Sequence, residues 1–261
     1  MIRPAVALSV CACLASCRAA DPSWAAPGVG VAGDGTVSGE PAVVKRVAAP
    51  PAIDGRLDED AWSTATVLGP FVDAGEGRFQ PDHPVAATAR VLWDERHLYV
   101  GVIVRDRAPK SPFPRDALDP ALWTAASAIE LMLQPGDPRD NRDYFELQVD
   151  TSGAVFDTRW DDYNTPISGE GDKKTFGHAD WSSRIERAAY VHRGSFYCVE
   201  LALPFESLRG VRSPLPPRAG DIWRLNVYSF RDGQRLSQAW SPIRKQGNFH
   251  RSSRFGRIRF E

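Results

Sequence analysis

The chain has 261 residues, in which 32 lysines and arginines balance 33 aspartates and glutamates. Because no acidic tail or basic arm interrupts this balance, nothing indicates nucleic acid or another polyanion as a partner. Hydrophobic residues make up 43% of the chain, an ordinary proportion for a globular protein. No run of 18 apolar residues occurs, so we expect no transmembrane helix.

The first 17 residues have the composition of a targeting segment. One basic residue, Arg3, precedes an apolar run from Ala5 to Leu14, and the segment closes with the letters LASC at Cys17. This ending is similar to the bacterial lipobox, whose cysteine is lipidated and becomes the first residue of the mature protein. We predict a lipoprotein signal peptide over 1–17 and a lipid anchor on Cys17. The protein would then be held at the bacterial cell envelope, on the outer membrane or the periplasmic face. An ordinary signal peptide is the alternative and would give a secreted protein.

Residues 18–42 consist largely of alanine, glycine, proline and serine, with too little apolar bulk to form a core. We predict a flexible linker here, followed by one folded domain over 43–261. Of the four cysteines, two would leave with the signal peptide and one would carry the lipid. Only Cys198 remains, so no disulfide within the domain is expected. It lies in a strand pattern and is predicted to be a small buried hydrophobe.

Short strands separated by turn signals, with almost no helical periodicity, fill the folded part. The predicted strands are Thr88–Trp93, Leu98–Arg105, Ala128–Gln134, Tyr144–Asp150, Ala154–Trp160, Arg184–His192, Phe196–Leu203, Ile222–Phe230, Ser237–Trp240 and Arg254–Phe260. Short helices are predicted at Asp58–Ala65 and at Pro204–Gly210. About ten strands in one domain of this length indicate an all-β fold, an antiparallel β-sandwich of the immunoglobulin-like type.

Alternation along two of these strands puts apolar residues on one face and polar residues on the other. Glu130 lies opposite the apolar face of its strand, and Glu146 and Gln148 do so in the next strand. Two such strands could form the floor of a wet, concave binding site. An antiparallel sheet can equally leave one face in water without any ligand, so the pattern alone keeps both interpretations open.

The chain carries no signature of the common classes of enzyme, since Gly-x-Ser-x-Gly, His-Glu-x-x-His and a Walker loop are all missing. Its five histidines are scattered without metal-ligand spacing. The acidic groups at 58–60 and 161–162 lie in turn-like segments. Solvated loop charge explains them more simply than a carboxylate pair facing across a sugar. The sequence therefore does not favour an enzyme. No cofactor is predicted; a structural Ca²⁺ held by such loops is left open.

Seven segments follow one another in a distinctive order. They are AIDGRLDEDAW (52–62), VLWDERHLYVGVIVRD (91–106), LWTAASAIELML (122–133), YFELQVDTSGAVFD (144–157), VELALPFESL (199–208), WRLNVYSF (223–230) and AWSPIRKQGNFHRSSRFGRIRF (239–260). Together they resemble the carbohydrate-binding module family 9 and its DOMON-related kin over nearly all of 43–261. The resemblance implies a DOMON-like β-sandwich that binds sugars without catalysis, in a family associated with glycoside hydrolases.

The resemblance further implies a site in which two aromatic rings sandwich a terminal sugar unit. The C–H face of a sugar packs on an aromatic plane, and its hydroxyls need polar partners around the rim. The two rings fall on Trp123 and on Phe249, which lies just before the last Phe-Gly. The polar rim falls on these residues: Glu130, Glu146, Gln148, Asn226, Gln246 and Asn248.

The chain departs from the family pattern at four points. Ser127 replaces an acid, and Trp123 stands one residue further from Glu130 than in the pattern. The second ring is Phe249 rather than Trp, and Glu146 stands where an arginine is expected. These departures leave the identity of the sugar, and the strength of sugar binding, open. The tryptophans that lie within strand or helix patterns are predicted to be core: Trp62, Trp93, Trp223 and Trp240.

The resulting prediction is a lipid-anchored module that binds an oligo- or polysaccharide and supports polysaccharide breakdown. A separate glycoside hydrolase or another envelope protein would be its partner. Two alternatives stay open. A structural or adaptor lipoprotein would keep the fold without the sugar. A haem-binding electron-transfer domain of the same superfamily would need an axial pair, for which Met132 and a histidine such as His250 are the only plausible residues.

Overall fold

The computed structural model of the protein describes residues 30–261. The predicted signal peptide, the lipidation site Cys17 and the first part of the predicted linker lie outside the described residues. No helix within 30–261 is long and apolar enough to cross a membrane. The α-helices described are α1 (Gly33–Thr36) and α2 (Asp60–Thr64). Turns of 3₁₀ helix occur at Leu122–Thr124, Gly171–Lys173, Phe205–Leu208 and Ser252–Arg254.

Strands supply nearly all of the regular structure. They are β1 (Ala42–Arg46), β2 (Thr66–Leu68), β3 (Val72–Asp73), β4 (Ala87–Trp93), β5 (His97–Arg105), β6 (Ala128–Gln134), β7 (Arg142–Asp150), β8 (Val155–Asp162), β9 (Glu186–His192), β10 (Phe196–Pro204), β11 (Ile222–Arg231), β12 (Leu236–Ala239) and β13 (Gly256–Phe260).

The strands form one curled sheet that folds over into the two layers of a β-sandwich. The β5 layer runs β4-β5-β10-β9, with β2 beside β4, and the β6 layer runs β8-β7-β6-β11-β13, with β12 and β3 at its side. Strand β1 joins the layers: its first residues pair in parallel with β13 and its last two with β4. The other strand pairs of residues 30–261 are antiparallel. The predicted all-β sandwich is confirmed.

The core lies between the two layers and is built by the apolar alternation of their central strands. Valines of β4 and β5 face leucines of β6 and β7, and all are fully buried. Trp93 and Trp223 both contact Phe260 edge to face, with ring centroids 5.1 and 5.0 Å apart. The four tryptophans predicted to be core are each at most 4% exposed. Cys198 is buried and free. Both predictions are confirmed.

The sequence pattern does not predict three short strands, β1, β2 and β3. Each strand that it does predict is present, and its ends lie within two residues of the predicted ones. The strands β2 and β3 have three and two residues, too few for alternation to be recognised, and the five residues of β1 do not alternate strictly between apolar and polar. The helix predicted at Pro204–Gly210 is a 3₁₀ turn, Phe205–Leu208. This segment is shorter than the lengths at which helices stabilise themselves.

Residues 30–41, which the sequence assigns to the linker, pack on the domain. Val31 forms a β-bridge with Leu68, and its carbonyl accepts a hydrogen bond from Trp240 Nε1 at 2.7 Å. The Asp34 carboxylate pairs with Arg244 and Arg254. The packed part of the chain therefore begins earlier than the predicted boundary at 43. Composition alone does not predict this packing, because it depends on a few specific contacts: the buried side chain of Val37, backbone hydrogen bonds and the charge of Asp34.

Candidate carbohydrate-binding cleft

A cleft of about 370 Å³ lies on the face of the β6 layer that is turned away from the core. Its aromatic lining comes from Trp123, Phe156, Trp160, Phe176 and Phe249. The rest of the lining is Glu130, Glu146, Gln148, Thr158, Ala179, Gln234, Asn248 and His250. Six of the eight predicted binding residues therefore meet here, although they come from four separate segments of the chain. None of the lining residues is a lysine or an arginine.

Strand register builds the floor of the cleft. Glu130 of β6 pairs with Gln148 of β7, and Glu146 of β7 pairs with Thr158 of β8. Because side chains alternate along a strand, these residues all point to the face opposite the apolar core. The sequence left open whether this face meets solvent. Glu130, Glu146 and Gln148 are 1%, 5% and 1% exposed, so the loops around them bury the floor.

Trp123 stands at one edge of the cleft and is carried by the 3₁₀ turn that precedes β6. Its neighbour Leu122 is fully buried and anchors the turn against a small apolar cluster. The Trp123 side chain remains 37% exposed, and its ring meets Phe156 edge to face at 4.7 Å. A turn held from below by one leucine can thus present an indole to solvent without losing its position.

Phe249 is a supported ring rather than a free one. It stacks on the fully buried Tyr228 with centroids 3.9 Å apart and planes only 7° from parallel. The Tyr228 hydroxyl also donates to the Phe249 carbonyl at 3.3 Å. With one face covered by tyrosine, Phe249 can offer only its other face to a ligand. Neighbouring Asn248 donates from Nδ2 to the Tyr163 hydroxyl at 2.5 Å.

Two buried glutamates share one amide donor at the floor. Gln148 Nε2 donates to Glu130 Oε2 at 3.1 Å and to Glu146 Oε1 at 2.9 Å. Gln234 Nε2 also donates to Glu130 Oε2, at 3.1 Å, and Trp160 Nε1 donates to Glu146 Oε2 at 3.2 Å. Because the amide nitrogen of Gln148 faces both carboxyl groups, its amide oxygen points away from them. Gln148 Oε1 is buried and has no hydrogen-bond partner among residues 30–261.

Burial changes the titration of this floor. Desolvation, followed by the charge of neighbouring Glu146, holds the pKa of Glu130 well above its ordinary value. Desolvation also raises the pKa of Glu146 to about 7, although the hydrogen bonds from Gln148 and Trp160 oppose it. His250 lies beside them, and desolvation lowers its pKa to about 4. At neutral pH the histidine is therefore uncharged, and the carboxyl pair stays partly protonated.

A family model described as "Carbohydrate family 9 binding domain-like" matches residues 53–261. The chain belongs to this family. Membership in this family supports carbohydrate binding in general, and the aromatic and polar residues that line the cleft agree with it. No curated protein gives a significant match to the chain.

Three solved structures share the family 9 fold with this chain. A candidate carbohydrate-binding protein from Bacteroides uniformis aligns with a TM-score of 0.62 at 15% identity, over 84% of this chain and 98% of its own. A family 9 module from Caldicellulosiruptor kristjanssonii in complex with cellotriose aligns at 0.57 and 17% identity, over 84% of this chain and 92% of its own. The same organism's module in complex with glucose aligns at 0.56 and 17% identity, over 84% and 94%. At these identities the likeness establishes the fold.

Two residues predicted for the rim do not line the cleft of this family 9 domain. Asn226 is fully buried, donates to the Ser241 carbonyl at 2.7 Å and accepts from the Ser241 N–H at 2.9 Å. It fastens β11 to the segment after β12. Gln246 is exposed in a turn, where its N–H donates to the Ile243 carbonyl at 3.1 Å. Polar type and motif position suggested both residues, but neither property says which way a side chain points.

Several lining residues were missed by sequence reasoning. Phe156, Thr158 and Trp160 alternate along β8, the strand next to β7. The period-2 pattern that placed Glu146 and Gln148 could therefore have found them. Phe176 and Gln234 lie on loops, and no local signal separates them from other loop residues. His250 follows Phe249 directly in the chain, but it is not among the eight predicted binding residues.

The residues named for a haem alternative do not face one cavity. Met132 is fully buried beneath the cleft and does not line it, whereas His250 does. The His250 ring is engaged on both sides: Nδ1 lies 2.8 Å from the Tyr144 hydroxyl, and Nε2 lies 3.7 Å from Glu146 Oε2. This arrangement gives no axial pair.

Acidic oxygens come together at one other place in the described chain. One carboxylate oxygen from each of Asp54, Glu59 and Glu200 lies within 4.8 Å of the others. Glu200 is fully buried and accepts backbone N–H groups from Asp54, Gly55 and Leu57 at 2.5–3.1 Å. These three backbone donors attach the loop to the Glu200 carboxyl group. The Ca²⁺ left open by the sequence stays an expectation only.

Proposed function

We propose that the domain binds carbohydrate non-catalytically in the cleft, with a sugar ring packing on Trp123 and Phe249 and its hydroxyls bonding to the polar floor. The observation that carries the proposal is the meeting, in one cleft, of a half-exposed indole, a supported phenyl ring and buried polar groups. Pyranose recognition needs this combination, because the ring's C–H face and its hydroxyls must both be accommodated. Family membership and the glucose and cellotriose of related structures support the same proposal.

Calorimetric titration of the protein with glucose, cellotriose and a panel of other soluble sugars tests the proposal. We expect saturable binding that Trp123→Ala weakens by at least about tenfold, since a stacked aromatic ring contributes on the order of 1 kcal/mol or more. The fold should survive, because the Trp123 side chain is already 37% exposed.

Ile167→Ala is the matched control, since Ile167 is 39% exposed and does not line the cleft. Its affinity should equal that of the wild type. Full affinity in Trp123→Ala would move the site elsewhere. No response to any sugar would favour instead the structural or adaptor role that the sequence left open.

The anchoring and physiological role belong to the same proposal. The LASC ending at Cys17 supports a lipid that holds the domain at the cell envelope. Such tethering raises the local concentration of a bound glycan and would serve a separate glycoside hydrolase in polysaccharide breakdown. Cells expressing the full chain should incorporate labelled fatty acid into the protein, and Cys17→Ser should abolish the label. A labelled Cys17→Ser protein would refute the anchor.

A further inference from the structure

The cleft buries two carboxyl groups with no lysine or arginine among the residues that line it. These carboxyl groups belong to Glu130 and Glu146, which are both at least 95% buried. The one basic side chain present, His250, is uncharged at neutral pH because burial lowers its pKa to about 4. Burying carboxyl groups in this way is costly unless a partner supplies opposite charge or strong donors.

Other buried acids of the same protein do have such partners. Asp106 is fully buried and pairs with Arg231 at 2.7 Å. Glu200 is fully buried and accepts three backbone N–H bonds. Glu130 and Glu146 receive hydrogen bonds from side chains only, namely two amides and one indole N–H. This carboxyl pair therefore has neither the cation that Asp106 has nor the backbone N–H groups that Glu200 has.

The floor also offers hydrogen-bond acceptors in excess of donors. Gln148 is 1% exposed and uses both of its amide hydrogens on the two glutamates. Its Oε1 atom is left without a partner in the described part of the chain. A buried acceptor in this state destabilises the fold unless a donor reaches it. The best ligand for such a floor therefore brings several N–H or O–H donors and a positive charge.

We propose that the cleft selects a cationic sugar, a hexosamine whose free amino group is protonated, with its ammonium directed at Glu130, Glu146 and Gln148 Oε1. This assignment rests on the proposed function, since it names the class of sugar bound at that same site. An ammonium has three donors, as many as the three acceptor groups at the floor. The aromatic rings of the lining supply both the packing surface for the sugar face and favourable cation–π contacts. A uronic acid, by contrast, would bring a third carboxylate to the pair and is excluded.

Proton exchange accompanies the binding. The pair stays partly protonated near neutral pH, because desolvation raises both carboxyl pKa values. A bound ammonium favours the ionised pair, so protons leave to solvent. The other titratable groups facing the pair stay neutral: His250 for the reason given, and Tyr144 and Tyr228 because burial raises their pKa. Affinity for a hexosamine should therefore fall as pH drops below about 7, whereas affinity for glucose should change much less.

Calorimetry at about pH 7, where an amine of this kind is largely protonated, provides the test with four probes. These are glucosamine, its neutral N-acetyl derivative, glucose and glucuronate. We expect glucosamine to bind at least about tenfold more tightly than the two neutral sugars, and glucuronate not to bind. Equal affinity for glucosamine and glucose would overturn this inference and leave the proposed function standing. No binding of any neutral or cationic sugar would instead remove the proposed function itself.

Variants separate the charge from the rest of the site. Glu146→Gln keeps the size of the side chain and should reduce the ratio of glucosamine to glucose affinity by about tenfold, whatever it does to each affinity alone. Glu186→Gln is the matched control, since Glu186 is exposed on β9, in the other layer, and should leave the ratio unchanged. An unchanged ratio in Glu146→Gln would show that the carboxyl pair does not distinguish an amino sugar from a neutral sugar.

Discussion

Replacing Glu146 by glutamine should change how the stability of the domain depends on pH. In the folded protein the pKa of this carboxyl is raised from 4.5 to about 7, chiefly by desolvation. The folded state thus keeps a proton that the unfolded chain has already released between these two pH values. The free energy of unfolding therefore falls as pH rises through this window, and it is constant, for this group, on either side.

The magnitude follows from the width of the window. At about 1.4 kcal/mol for each pH unit, the wild type should lose on the order of 3 kcal/mol between pH 4.5 and about 7. Glu146→Gln cannot titrate and should escape this loss. Its amide can replace only one of the two hydrogen bonds that the carboxylate accepts, from Gln148 and Trp160. That change costs about 1 kcal/mol at every pH and so does not alter the slope.

Urea unfolding, monitored by tryptophan fluorescence at a series of pH values, measures the effect. The quantity compared is the free energy of unfolding of the variant minus that of the wild type. Carboxylates other than Glu130 titrate in both proteins and cancel in this difference. The pKa of Glu130 falls when the neighbouring charge of Glu146 is removed, which changes the slope in the same direction. Glu186→Gln, on the exposed face of β9, should follow the wild-type curve. Parallel curves for wild type and Glu146→Gln would refute the reasoning, because they would mean that Glu146 keeps an ordinary pKa in the folded state.

Three further changes test other parts of the structure. Phe249→Ala should weaken sugar affinity by about tenfold in calorimetry; undiminished affinity would remove this ring from the site. Arg231→Met leaves fully buried Asp106 unpaired and should cost about 3–5 kcal/mol in urea unfolding, a loss that Asp106→Asn in the same chain should partly restore. A Cβ at Gly33 would collide with the backbone of the domain, so Gly33→Ala should expose residues 30–41 to protease. Wild-type resistance would contradict the packing of that segment.

Local pattern was sufficient for most of the fold, for a physical reason. The strand β6, Ala128–Gln134, has the predicted bounds, and Leu131 and Glu130 point to opposite faces as alternation requires. Alternation is a property of each strand by itself. Any strand that buries one face is stabilised by apolar residues at every second position, wherever it lies in the sheet. The strands β1 and β2 lack this signal, since β1 does not alternate strictly and β2 has only three residues; pairing with β13 and β4 defines them instead.

The sequence by itself determined the all-β fold, the family and six of the residues that line the cleft, since motif order and strand period are local properties. Only the tertiary structure decided that Asn226 fastens a loop, that Gln246 stands in solvent, and that Phe176 and His250 join the cleft. It also decided that Glu130 and Glu146 are buried and share one amide. Burial and pairing depend on loops that cover the sheet from remote parts of the chain, and period-2 alternation says only which face a side chain takes, not what covers it.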